Sequence, residues 1–136
     1  MKVRWIILPV ALAALMSGIQ LYAHHSFAAE YDNTKPIEFK GTVTKVEWAN
    51  PHIYYYVDVK GPDGKVINYA VEGGTPNQLY RQGWRKDSLK VGDEVTVSGF
   101  KAKDGSNHVN GRKVTLPNGK RVFGASADDG GPAAEK

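Results

Sequence analysis

Cysteine is absent from all 136 residues. That excludes disulfides, thiolate metal sites, a cysteine nucleophile and a lipid-modified cysteine anchor. Long hydrophobic runs are absent too. The apolar stretch Trp5 to Met16 has 12 residues, short for a hydrocarbon core of about 30 Å. The motifs of common enzymes are missing. Ser26, Ser88, Ser98 and Ser106 lie in no nucleophile-elbow context, and Gly73-Gly74 is too short to cradle a phosphate. The acidic residues are scattered, with no pair that falls on one rim. What the chain does have is glycine and proline, 15 and 7, a composition that suits a turn-rich β protein better than a helical bundle.

Residues 1–23 read as an export signal. Met1-Lys2-Val3-Arg4 is a cationic start without an acid, the apolar run follows, and Leu21-Tyr22-Ala23 ends a more polar exit. An uncleaved anchor is the alternative, and Ser26-Phe27-Ala28 offers a second cleavage point after Ala28. Cleavage removes Lys2 and Arg4 from the 18 basic residues. Sixteen then face 14 acidic residues, a charge of +2. That balance gives no electrostatic case for nucleic acid, and no membrane contact is expected once the signal is gone. The expected location is the bacterial periplasm or the medium.

The rest divides into an N-terminal arm over 24–36, a β domain over 37–123 and a disordered Gly/Ala/Asp tail over 124–136. Ile37 to Trp48 reads as the first strand. Its apolar parity switches between Val43 and Val46, which predicts a bulge near Thr44-Lys45. His52 to Lys60 and Val66 to Val71 read as a hairpin around Gly61-Pro62-Asp63-Gly64. Thr75 and Pro76 open a two-turn helix that Gly83 stops. Glu94 to Lys101 and His108 to Leu116 follow, and Asn118-Gly119 turns the chain into a short return strand. Three strands, a short helix and two strands is the order of an OB-fold: all-β with one short helix, five strands closed into a barrel. The alternative is an open antiparallel sheet covered by the helix. Common parity predicts that Ile53, Tyr55, Val57, Ile67, Tyr69, Val71, Val95 and Val97 are buried together.

Several stretches carry a family resemblance. They are Ala23-His24-His25-Ser26-Phe27-Ala28-Ala29-Glu30-Tyr31-Asp32, Gly41-Thr42-Val43, Trp48-Ala49-Asn50-Pro51-His52, Val71-Glu72, Gly83-Trp84, Gly92-Asp93-Glu94-Val95 and Lys103-Asp104-Gly105-Ser106. Together they resemble a family of small exported bacterial proteins known as domain of unknown function 6152. The resemblance implies a secreted or periplasmic β domain. It implies no activity, substrate or cofactor.

Two groups of residues are candidates for chemistry. If cleavage follows Ala23, His24 becomes the first residue, and its α-amine and imidazole form a bidentate chelate. Amine and imidazole nitrogens in a square arrangement suit Cu(II), with His25 or His52 as a further ligand. The competing reading is an unstructured spacer at 24–25, with His52 a surface or capping residue. The second group lies on the strand at 52–60. There Ile53, Tyr55, Val57 and Val59 alternate with His52, Tyr54, Tyr56 and Asp58. With the aliphatic set inside, Tyr54, Tyr56 and Asp58 point outward beside Asn68 of the next strand. Such a face can stack a sugar, a base or a partner's side chain, or it can pack beneath the arm or the helix. The leading expectation is an exported non-catalytic binding module for a small ligand or a periplasmic protein partner on this face. The alternative is a periplasmic Cu(II)-binding or copper-carrier protein.

Overall fold

The computed structural model of the chain describes residues 26–125 and 131–132. The expected export signal, His24 and His25 lie outside the described residues. Two short helices, α1 (Ser26–Glu30) and α2 (Pro76–Arg81), accompany six strands. The strands are β1 (Tyr31–Glu47), β2 (Tyr54–Lys60), β3 (Val66–Glu72), β4 (Glu94–Ala102), β5 (His108–Thr115) and β6 (Arg121–Phe123).

β1 pairs antiparallel with both β2 and β4, β2 with β3, and β4 with β5. A short parallel ladder joins β3 to β5, Ala70↔His108 to Glu72↔Asn110. The pairings therefore run β1–β2–β3–β5–β4 and return to β1, a ring of five strands. β6 lies on β5 farther along, from Lys113 to Thr115. This is the order expected for an all-β chain of OB type. One expected helix has become two, because residues 26–30 coil and dock. The first strand also starts at Tyr31 rather than Ile37.

The long β1 serves both neighbours by bending. Its register against β2 passes from Val43↔Val57 to Lys45↔Tyr56, leaving Thr44 without a partner. This is the expected bulge. Inside the ring, Ile53, Tyr55, Val57, Val71, Val95, Val97, Val109 and Val114 are buried. α2 adds Leu79 to this core, and Trp84 and Leu89 pack behind it. Thr75 caps α2 by accepting from the Gln78 amide at 3.3 Å, with Pro76 in the first turn. Gly83 ends it at φ +95°, a conformation that suits glycine.

Two members of the predicted core differ. Ile67 is 40% exposed, and Tyr69 is half-buried, stacked on Phe39 at 4.5 Å. The cause is the length of the β2–β3 hairpin. β1 covers β2 only as far as Asp58, and β5 meets β3 only from Ala70 onward. Ile67 has the right parity but lies beyond both neighbours.

A second, smaller cluster anchors α1. Phe27 packs on Tyr31 at 5.8 Å and edge-on against Phe100 at 5.7 Å, with Ala102 beside them. The Arg112 guanidinium lies 4.9 Å from the Phe27 ring centre, a cation–π contact. The Lys103 amide donates to the Glu30 carbonyl at 2.9 Å, and Lys103 Nζ donates to the Ala28 carbonyl. α1 is thus fixed to the start of β1 and the end of β4.

Candidate functional site beneath α1

Alternation places Ile53, Tyr55 and Val71 inside the ring, so His52, Tyr54 and Glu72 belong to its outer side. The ladders set Glu72 between Tyr54 of β2 on one side and Asn110 of β5 on the other. The hairpin pairing extends past Tyr54. The Ile53 amide donates to the Gly74 carbonyl at 3.0 Å, and the Gly73 amide to the Ile53 carbonyl at 2.9 Å. That extension draws His52, just after Pro51, alongside Glu72.

These outward side chains are nonetheless covered, because α1 and Tyr31 fold over them. Glu72 is only 8% exposed. Its carboxylate is the hub of the cluster. Tyr31 Oη donates to Glu72 Oε2 at 2.5 Å, and His52 Nδ1 lies 2.8 Å from Glu72 Oε1. The Tyr54 hydroxyl adds a third hydrogen bond. Burial of the Glu72 carboxyl works to raise its pKa. Hydrogen bonds from His52 and Tyr31, the His52 charge and the Tyr54 bond outweigh it, and hold the group below the ordinary glutamate value. The same burial and the neighbouring carboxylate push the Tyr31 and Tyr54 hydroxyls far above the ordinary tyrosine value. Both tyrosines stay protonated and act as donors.

A cavity of about 290 Å³ opens at this cluster, lined by Phe27, Glu30, Tyr31, Pro51, His52, Tyr54, Glu72 and Asn110. On the other side of α1 a second cavity of about 260 Å³ is bordered by Tyr31, Asp104 and His108. A larger groove of about 680 Å³ crosses the outside of β1, β4, β5 and β6, with Ile37 and Phe100 beside Lys113 and Arg121. Of the three, the first contains the buried carboxylate with converging donors.

The candidate ligand face divides in two. Tyr54 joins the Glu72 cluster. Tyr56, Asp58 and Asn68 stay on the outer face and bond with their own neighbours. Tyr56 Oη donates to Glu47 Oε2 at 3.2 Å, with Lys45 Nζ 5.2 Å from its ring centre. Asn68 Nδ2 donates to Asp58 Oδ1 at 2.7 Å and to Thr44 Oγ1 at 3.3 Å. Of the candidate metal ligands, His52 stands in the cleft, and His24 and His25 lie outside the described residues. Among the described residues no three His, Asp or Glu side chains are grouped to hold a metal ion. Nor is any described helix long and apolar enough to cross a membrane.

Tyr31 and Glu72 were not among the candidate site residues. Glu72 had a usable signal: its parity is opposite to Val71, and the hairpin register sets it across from Tyr54. Tyr31 had none, since its place depends on how α1 folds back.

Ring, docked helix and buried acidic hub define a small all-β domain with a polar cleft at one end. The chain belongs to the family of unknown function DUF6152, whose model matches residues 12–112. That span contains every residue lining the cleft, including the stretches that end in Tyr31-Asp32, Pro51-His52 and Val71-Glu72. No curated protein matches the chain.

Proposed function

We propose that this protein is an exported, non-catalytic binding module whose ligand is held in the cleft beneath α1, over Tyr31, His52, Tyr54 and Glu72. The observation that carries this reading is the buried Glu72 carboxylate with three side-chain donors beside a 290 Å³ cavity. Burying an ionised carboxylate is costly unless its partners are exact in position. A purely structural solution at this place is a second apolar layer. The polar one supplies aromatic walls and fixed hydrogen-bonding edges, as small-ligand sites do. Chemical-shift mapping of the isotope-labelled mature protein against panels of saccharides, amino acids and peptides tests it. Shifts should centre on Tyr31, His52, Tyr54 and Asn110. Shifts confined to Tyr56, Asp58 and Asn68 would assign the outer face instead.

A second reading narrows the ligand to Cu(II). The specific observation is the 2.8 Å contact between His52 Nδ1 and Glu72. A histidine that gives Nδ1–H to a carboxylate binds metal through Nε2, with raised basicity. His24 would supply its α-amine and imidazole after cleavage at Ala23, and His25 a further nitrogen. Copper should bind more tightly than zinc, following the Irving–Williams order in a set without thiolates. The test titrates copper into three proteins: the form beginning at His24, the same form extended by one alanine, and His24→Ala. The first should bind most tightly. Equal affinity in all three removes the copper reading.

A further inference from the structure

We infer that the groove across the outside of β1, β4, β5 and β6 docks an extended acidic segment of a partner protein, with an apolar side chain over Ile37 and Phe100 and carboxylates against Lys113 and Arg121. This site is separate from the cleft beneath α1 and does not depend on what that cleft binds.

Three observations carry it. The first is charge. Among the described residues that line the groove, Arg112, Lys113 and Arg121 are cationic and Glu38 alone is acidic. Glu38 accepts from Ser98 Oγ at 2.7 Å, which keeps it at the β1 side. The cationic side is built by backbone geometry. The register between β4 and β5 passes from Ser98↔Lys113 to Gly99↔Gly111, so Arg112 is the extra residue of a bulge. Gly111 faces the ring, where a methyl would meet Val71 and Tyr55, and Val114 is buried inside the ring. The bulge therefore turns the consecutive residues Arg112 and Lys113 to the same outer side, which simple alternation forbids. Arg121 joins them from β6, where it pairs with Thr115 of β5.

The second observation is shape. The four strands are neighbours in the order β1-β4-β5-β6. At a strand spacing of about 4.8 Å the groove crosses them over roughly 14 Å, the length of about four extended residues. Its 680 Å³ falls in the size range of ligand clefts. It is also graded: Pro36, Ile37 and Phe100 form an apolar end, Lys113 and Arg121 a cationic one. A membrane surface matches neither the concavity nor the grading. The third observation is that polypeptide already lies there. Pro132 lines the groove, and a methyl on Gly131 would overlap the Arg112 guanidinium and lie 2.8 Å from Phe27 Cδ2. Main chain thus packs directly on this surface at one end, and the remaining length accepts a second segment.

The experiment maps chemical shifts of the isotope-labelled mature protein against two sets of blocked tetrapeptides. The first set begins with Leu or Phe and ends with two residues drawn from Asp and Glu. The second set carries Lys in place of the acids. Saturable shifts at Ser98, Phe100, Lys113 and Arg121 should appear with the acidic set only, and should weaken as salt rises. Combining Lys113→Glu with Arg121→Glu should weaken acidic-peptide binding by at least about tenfold and let the lysine set bind. Lys113 is half-buried and Arg121 exposed, so both reach solvent. If the double variant does not fold, the comparison of the two sets on the native protein decides alone. Equal shifts with both sets, no saturable shift with either, or shifts at Tyr31, His52 and Tyr54 in place of the groove would overturn the inference. Binding to phosphatidylglycerol vesicles that the double variant abolishes, with the native spectrum unmoved by acidic peptides, would overturn it in favour of a membrane surface.

Discussion

Tyr54 and Tyr55 are neighbours in one strand, and each is withdrawn from solvent by a different physical cause. Tyr55 points into the ring, is fully buried, and its hydroxyl has no hydrogen-bond partner among the described residues. Closure of five strands surrounds it with Val57, Val71 and Val109, and dispersion with hydrophobic burial outweighs the stranded oxygen. Tyr54 points out. It is half-buried in the cleft that Phe27 and Glu30 of α1 line with Tyr31, and its hydroxyl bonds to Glu72. The inner side of β2 is therefore a packing problem solved by the ring. Its outer side is a polar network solved by one short helix. The lesson is that burial on the outer side depends on a contact that can be removed without opening the ring.

Substitutions should separate the two sides, and the largest effect belongs inside. Tyr55→Ala should cost roughly 3–5 kcal/mol in urea unfolding, since it empties a site that the surrounding β structure cannot refill. Gly111→Ala should be damaging as well. A methyl there would lie 2.6 Å from Val71 Cγ1 and 2.9 Å from Tyr55 Oη, so both must shift. A wild-type melting curve for it would show that the ring closes more loosely than described.

The intermediate effect belongs to the clasp. Tyr31→Phe removes one donor from the buried Glu72 carboxylate and should cost about 1–3 kcal/mol. Hydrogen exchange at residues 26–31 should rise more than exchange within β2. Equal changes in both would mean that α1 and the ring are one cooperative unit.

Acid should sharpen the same contrast. Glu72 has its carboxyl pKa lowered in the folded protein, so the folded state holds its proton less tightly than the unfolded chain does. Its contribution is fully present above the unfolded glutamate value and is lost as pH falls through the lower folded value. Stability should therefore decline in that acid window, and Glu72→Gln should flatten the decline while lowering stability near neutral pH. An unchanged acid limb in Glu72→Gln would assign the effect to other carboxylates.

The smallest effect is expected on the open part of the outer face. Tyr56→Ala and Asn68→Ala remove contacts to Glu47, Asp58 and Thr44 that water can replace, and each should change stability by less than about 1 kcal/mol. A large fall in melting temperature for either would show that this face, too, is structural.

Most of the ring was legible in the residues because its rules are local. Alternation in Ile53–Tyr55–Val57 told which side is inside, the parity change between Val43 and Val46 located the bulge, and Thr75-Pro76 with Gly83 bounded α2. Ile67 broke the pattern because parity says which way a side chain points, not whether a neighbouring strand reaches it. The cleft was legible in part. His52 and Tyr54 were singled out by position and type, whereas Tyr31 and Glu72 were not. Glu72 needed cross-strand register, which the hairpin turn in principle supplies. Tyr31 needed the docking of α1, held by Phe27 on Phe100 and by Arg112 over Phe27, contacts between residues far apart in the chain.

The central claim is that three donors converge on an ionised Glu72 under α1, and a carboxyl-carbon NMR titration of Glu72 tests it most directly. Donors that outweigh burial should place its midpoint below the ordinary glutamate value of 4.5, with Tyr31→Phe moving it upward. A midpoint above that value in the native protein, unmoved by Tyr31→Phe, would show a carboxyl governed by burial alone and contradict the network.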